Sequence, residues 1–223
     1  MIERRWAKTS SARFNAWLRK KGCTVGQGVR WFGLNNIFVD VTRPSLLEIG
    51  DNVCITSGCV ILTHGYDWFV LKNLYHELLA SSGGVCIKNN VFVGTGSVIL
   101  KGVTIGDNCI IGACSLVNHD IPSDSVFAGN PAKFICTIED YYNKRKQLYV
   151  DEARAYARSI KKNLHRRPRI DDFWEEFPLF LNRDQRLAGN MMEKQLGEAY
   201  AHYKNQHTPL YDGFDSFLKD AGL

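Results

Sequence analysis

The sequence lacks most of the signatures that would assign it at once. In its 223 residues no run approaches the roughly 18 to 20 apolar residues that span a bilayer, which leaves no candidate for a spanning helix. Its first residues, MIERRWAKTSSARF, carry charge where a secretory leader needs an apolar stretch, so the expectation is an unexported, cytoplasmic protein. The seven cysteines are odd in number and contain no Cys-x-x-Cys pair, which argues against both a complete disulfide framework and the common zinc spacings. Free thiols are the plain reading. No RNP aromatic motif, zinc-finger spacing or helix-turn-helix pattern accompanies the net charge of +5, so no nucleic-acid partner is expected. The basic excess lies near the two ends, and a few local Lys and Arg residues would equally serve a nucleotide phosphate. With 45% hydrophobic and 23% charged residues, the chain is neither disordered nor fibrous in composition.

What is present is a repeat. Stepping by six from Val25 gives Trp31, Ile37, Arg43, Ile49, Ile55 and Ile61; a second register runs Ile87, Val93, Ile99, Ile105, Ile111 and Val117. Four residues after these positions come small or β-branched residues such as Val29, Val53, Cys59, Ser97, Val103, Cys109 and Ser115. A helix repeats near 3.6 and a half-buried strand near 2, so a sustained period of six fits short strands joined by repeated corners. Such a coil needs one inward aliphatic side chain per face and corner residues that tolerate positive φ. IGDN at 49–52, KNN at 88–90 and IGDN at 105–108 supply those corners. Arg43 interrupts the pattern; burying its charge unpaired would cost several kcal/mol, so with Pro44 beside it a local bulge out of the coil is expected.

Three segments leave the repeat. Residues 1–22 read as a short basic amphipathic helical segment, with Trp6, Phe14, Trp17 and Leu18 among Arg and Lys. YDWFVLKNLYHELLASSGG, residues 66–84, shifts the register and reads as an excursion loop. From residue 138 onward the sequence becomes helical and charge-rich: DEARAYARSIKKNL, a break at RRPRIDD, the aromatic patch DFWEEFPLF, and a further helix around Leu187 to Tyr203. The expected organisation is therefore 1–22, a coil over 23–137, and a helical extension over 138–223.

The stretch VFVGTGSVILKGVTIGDNCIIGACSLVNHDIPSDSVFAGNPAKFI, residues 91–135, resembles the terminal coils of the hexapeptide-repeat acyltransferases of the maltose, galactoside and xenobiotic acetyltransferase type. IGDN, IGACS, DIP and AGNPAK in this order carry the resemblance, which extends from Val25 to Ile138. It implies an all-β core in the form of a left-handed parallel β-helix with about 18 residues per coil. It further implies a homotrimer with active sites between subunits, and acetyl-coenzyme A as donor.

By that resemblance the catalytic residue is His64 in ILTHGYDW. Its chemistry suits the role independently, because a neutral imidazole accepts a hydroxyl proton near pH 7. The resemblance also assigns Thr95 and Ala113 beside the pantetheine, the Thr95 amide to the oxyanion, Asn118 and His119 along the groove, and Lys133 near the coenzyme phosphates. Relatives carry a second basic residue three places after that lysine; here it is Cys136. Acceptor candidates are Tyr66, Asp67 and Trp68, which follow the histidine, and Asn36 and Asp40 on earlier coils facing the same cleft. Asp67, Glu77 or a backbone carbonyl would orient His64. Cys109 sits at an inward small position and reads as core.

Three functional readings follow. One is acetyl transfer to a hydroxyl of a saccharide, such as a capsule or lipopolysaccharide unit, which leaves open a peripheral membrane partner for the tail. A second is acetylation of a drug hydroxyl. The third is a β-helix without catalysis. A metal enzyme would need three converging histidines, a spacing that His64, His76 and His119 do not offer, so no metal is expected.

Overall fold

The computed structural model describes residues 6–187, 189 and 191–223. It divides into two compact units, Met1–Tyr142 and Asn143–Leu223. Residues 1–5 of the basic N-terminal segment, and residues 188 and 190 within the helix expected around Leu187 to Tyr203, lie outside the described residues.

The first unit is a three-faced parallel coil. Sheet one stacks β1 (Thr24–Val25), β4 (Leu47–Ile49), β9 (Val85–Ile87) and β12 (Val103–Ile105). Sheet two stacks β2 (Arg30–Trp31), β5 (Cys54–Ile55), β10 (Phe92–Val93), β13 (Ile110–Ile111) and β15 (Ser125–Ala128), with β16 (Lys133–Thr137) added antiparallel at its edge. Sheet three stacks β3 (Phe38–Val39), β6 (Val60–Ile61), β11 (Val98–Ile99) and β14 (Leu116–Val117). The chain visits the sheets in the order one, two, three and returns, so within the parallel rungs consecutive strands do not pair and every coil is held by the rungs beside it. Parallel registers such as Val93↔Ile111 and Ile99↔Val117 stack one aliphatic residue on the next. Ile49, Ile55, Ile61, Ile87, Val93, Ile99, Ile105, Ile111 and Val117 have no measurable exposure. Burial of each such side chain contributes roughly 1.5–3 kcal/mol.

The spacing of six is not continuous. Val39, not Ile37, pairs with Ile61, which puts two extra residues between Trp31 and the next rung position, where a 3-10 turn covers Leu34–Asn36. Four more are inserted between Val39 and Ile49, where Asp40–Arg43 lead into a second 3-10 turn at Pro44–Leu46. The two insertions together equal one period, so a count by six runs through both and re-enters in phase at Ile49. The expected assignment of Ile37 as a rung position is corrected accordingly, while Arg43 leaves the coil as expected. Arg43 lies in the bulge, and Ile37 takes the place that Cys59 occupies on the next rung, its neighbour Phe38 donating to the Cys59 carbonyl.

Helix α1 (Ser11–Lys21) lies against the first coil. Ser10 caps it by accepting from the Arg13 amide, and Gly22 ends it at φ 106°. Its apolar stripe buries Phe14, Trp17 and Leu18, with Phe14 edge-on to Trp31 at 4.9 Å. Buried Asn15 donates to the Val29 carbonyl and accepts from Trp31 Nε1 at 2.6 Å. Trp6 remains 57% exposed. The excursion holds a short helix, α2 (Trp68–Tyr75), between the antiparallel pair β7 (His64–Gly65) and β8 (Ser81–Ser82).

The second unit is helical. Its elements are α3 (Ile138–Leu164) from residue 143 onward, α4 (Met191–Leu196), α5 (Ala199–Gln206) and α6 (Phe214–Asp220). Its core joins Ala153, Ala157 and Ile160 to Phe173, Phe177, Phe180, Phe217 and Leu218. Among the described residues no helix is long and apolar enough to cross a membrane.

Candidate active site

Every coil turns three corners, and the corners stack into three edges. The first edge, between sheets one and two, is fixed by side chains. Asn89 Oδ1 accepts from the Asp51 amide at 2.8 Å, Asp107 Oδ1 from the Asn89 amide at 2.9 Å, and Ser123 Oγ from the Asp107 amide at 3.0 Å. Asn52, Asn90 and Asn108 stand beside them, each at φ 55°, a conformation asparagine tolerates. These are the corners expected from the IGDN and KNN segments, and they leave polar groups occupied with one another.

The third edge, between sheets three and one, carries chemistry. His64 follows β6 there, and the four-residue insertion after β3 brings Asp40 beneath it. His64 Nδ1 lies 2.5 Å from Asp40 Oδ2. The same carboxylate oxygen accepts from the Thr63 amide at 3.1 Å and the Thr63 hydroxyl at 2.6 Å. Asp40 Oδ1 accepts from the Thr42 amide at 3.0 Å and the Thr42 hydroxyl at 2.7 Å. Asp40 is only 2% exposed and Thr63 is fully buried. Burial pushes the Asp40 carboxyl up, but the donors from Thr63, Thr42 and His64 together outweigh it and hold the group well below the usual carboxylate range. An ionised Asp40 accepts only, so Nδ1 carries a proton, and in the neutral imidazole the lone pair is on Nε2. Tyr66 stands edge-on to the imidazole at 4.7 Å.

The expected site residues divide between edges. Asp40, His64, Asn118 and His119 share the third edge, the last two on a coil two rungs further, about 10 Å along the axis. His119 Nδ1 lies 2.9 Å from Asn118 Oδ1. Tyr66, Asp67 and Trp68 lead from His64 into α2, where Lys72 Nζ lies over the Trp68 ring at 4.9 Å. Thr95 and Ala113 fall instead on the second edge, between sheets two and three. Asn36 is on that edge as well, its amide 3.4 Å from Ser57 Oγ, so within one chain it does not stand beside Asp40. Lys133 is exposed at the start of β16.

Two expectations change. Asp40 cannot present its carboxylate to an acceptor, because both oxygens are taken and the group is buried; it is the group that orients His64. Neither Asp67 nor Glu77 does so. Thr42 and Thr63 completed this arrangement without being noticed in the sequence, although the break in the repeat at VDVTRP was the visible signal. Cys109 is buried, with its Sγ toward the carbonyls of Asp107 and Pro122, and burial pushes its thiol up. That environment opposes a thiolate nucleophile.

An imidazole held on Nδ1 by a buried carboxylate is a general-base arrangement. The bacterial transferase hexapeptide family, of six repeats, matches residues 86–119, which run from β9 to the corner at His119. Protein CapG of Staphylococcus aureus is 37% identical over 146 residues, covering 62% of this chain and 84% of CapG. Galactoside O-acetyltransferase of Escherichia coli K12 is 34% identical over 143 residues, covering 58% of this chain and 66% of that protein, just under two thirds of its length. A solved structure of a maltose O-acetyltransferase from Clostridium difficile 630 is 27% identical with a TM-score of 0.44, covering 61% of this chain and 82% of that one. The repeat, its corners and the extent of the match to CapG agree: the chain belongs to the hexapeptide-repeat transferase family.

Proposed function

We propose that the protein transfers the acetyl group of acetyl-coenzyme A to a hydroxyl of a saccharide, with His64 as general base. The observation that carries this reading is the Asp40–His64 pair, since it leaves Nε2 as the basic atom. Nε2 takes the proton of the acceptor hydroxyl as its oxygen attacks the thioester carbonyl. The tetrahedral intermediate then collapses, the thiolate of coenzyme A leaves, and the imidazolium returns the proton to it. The products are an acetyl ester and free coenzyme A, with no covalent enzyme intermediate. The saccharide acceptor is favoured by the similarity to an enzyme named for a galactoside and by Tyr66 beside the base, an aromatic face on which a sugar ring stacks.

The oxyanion would be met by the Thr95 amide, which donates to no acceptor among the described residues. Thr95 and His64 stand on different edges of neighbouring coils, with the strands of sheet three between the two edges. One carbonyl cannot approach the base and the amide of the same chain when each must lie about 3 Å away. The reading therefore includes a homotrimer, in which His64 of one copy and Thr95 of the next border one cleft, and a left-handed coil that brings these edges together. Ala113, on the edge of Thr95, would flank the pantetheine; Asn118, His119 and Lys133 would border the rest of the coenzyme.

The test is thiol release from acetyl-coenzyme A with a panel of glycans, sugar nucleotides and hydroxylated antibiotics, beside His64→Ala. Release with saccharides alone, reduced about 10²- to 10⁴-fold in the variant while the donor still binds, is expected. Release with antibiotics only would replace the acceptor class, and unchanged turnover in the variant would remove His64 from the mechanism.

A further inference from the structure

The helical unit contains a cavity that the transfer chemistry does not use. It measures about 700 Å³ and is lined by Lys161, His165, Arg166, Arg167, Pro168 and Leu223, a size within the usual range of small-ligand pockets. Four of the six lining residues carry a cationic or titratable nitrogen, and no acidic side chain lines it. The segment KKNLHRRPR, residues 161–169, holds five Lys and Arg residues and no Asp or Glu. Lys161 and Lys162 lie in the last turn of α3, where a cation offsets the helix dipole. That argument does not reach Arg166, Arg167 and Arg169, which lie beyond the helix.

The cations are held to different degrees. Arg166 is committed: both its terminal nitrogens meet Asp172, at 2.6 and 2.7 Å, which fixes the loop as one wall. Arg167 meets Asp215 through one nitrogen at 2.7 Å, but the two side chains are 71% and 87% exposed, so this pair is weak and open to exchange for a stronger anion. Leu223, which also lines the cavity, packs partly buried against the helical core. Pro168 is buried and stiffens the segment that carries the cations.

We infer that this cavity binds the phosphate or pyrophosphate group of a ligand, with Lys161, His165 and Arg167 as its donors. A phosphate presents several oxygens to such donors, and a guanidinium matches them in geometry as well as charge. The inference goes beyond acetyl transfer and does not depend on it. The group has two sources, a soluble phosphorylated molecule or an anionic lipid headgroup.

The experiment uses the full chain, and the comparison protein separates the cavity from any phosphate site on the coil. Inorganic pyrophosphate is titrated calorimetrically, and vesicles of phosphatidylglycerol are compared with phosphatidylcholine by co-sedimentation. The comparison protein is Lys161→Gln/Arg167→Gln, whose two positions are exposed; circular dichroism confirms that it folds. Loss of two charge-assisted contacts is expected to weaken pyrophosphate about ten-fold or more, and raising salt is expected to weaken it in the parent protein. A variant-sensitive pyrophosphate signal with no vesicle binding supports a soluble ligand. A signal seen only with phosphatidylglycerol, and lost in the variant, supports a headgroup. If neither probe binds, or both bind parent and variant alike, the inference is wrong.

Discussion

The two units bury apolar surface in opposite ways. The coil lays down one aliphatic residue per face on each rung, so Ile55 rests between Trp31 and Val93 and nothing else of its sheet. The helical unit converges aromatic rings on a single point. Phe173 is fully buried and meets Tyr156, Phe180, Phe214 and Phe217 at ring distances from 5.1 to 6.0 Å. A coil of repeated rungs spreads its stability along an axis, whereas a ring cluster concentrates it. The difference also explains where each can depart from regularity: the coil tolerates an inserted segment at a corner, because neighbouring rungs still close, and the insertion after β3 is what delivers Asp40.

The most severe way to break this contrast is Phe173→Ala. Removing a fully buried ring from four aromatic neighbours is expected to cost about 3–5 kcal/mol, read as the loss in unfolding free energy by urea titration. Ile55→Ala removes a smaller side chain whose neighbours are two rungs; about 2–5 kcal/mol is the range for such truncations, and the lower half is expected. Should Ile55→Ala prove the costlier, the concentrated core is not the more vulnerable one.

Asp40→Asn comes next and tests the insertion itself. The carboxamide offers one acceptor oxygen where the carboxylate offered two, and its NH₂ puts a donor where a backbone amide already donates. A loss of about 1–3 kcal/mol is expected, together with a fall in turnover smaller than that of removing the base. The donor KM is expected to hold, which separates positioning of His64 from a general structural effect. The pH dependence has a definite sign. Because the folded carboxyl lies below its unfolded value, its contribution is complete above about pH 4. It is lost as the pH falls from there toward the folded value. Stability measured from pH 6 down to pH 2 should therefore drop less steeply in Asp40→Asn than in the parent, and equal slopes would show that Asp40 is not held ionised.

The contrast between the units also governs what was legible. A period of six is a direct image of the coil, and Ile49 through Val117 follow from it with their burial. The two insertions are hidden because they sum to one period, so a count by six passes Ile37 as a rung and shows only Arg43 as an interruption. Which corner a residue occupies depends on counting strands, and the hidden insertions put Asn36 and Asp40 together on one supposed cleft when they lie on two edges. His64 was found through the motif around it. Its partner was not, because the contact joins residues 24 apart across a rung whose register the repeat misstates. The aromatic core of the second unit has no period; DFWEEFPLF signals rings, but nothing local says that Phe173 and Phe217 meet.

The smallest effect probes how strictly the corners are specified. On the second edge, Gly58, Gly96 and Cys114 occupy equivalent places on successive rungs, with φ of 76°, 74° and 56°. Glycine adopts such a conformation freely, whereas a residue with a Cβ is disfavoured there by roughly 1–2 kcal/mol. Cys114 is exposed, so its side chain returns little through burial. Cys114→Gly is therefore expected to stabilise the coil, less the roughly 0.5–1 kcal/mol that glycine's extra freedom in the unfolded chain costs. The net gain is about 1 kcal/mol or less by urea titration. Turnover in the same protein should persist, since no thiol takes part in the proposed transfer. A loss of stability would mean that Cys114 makes a contact absent from the single chain, and the second edge, where Thr95 and Ala113 also lie, is where a neighbouring copy would supply it.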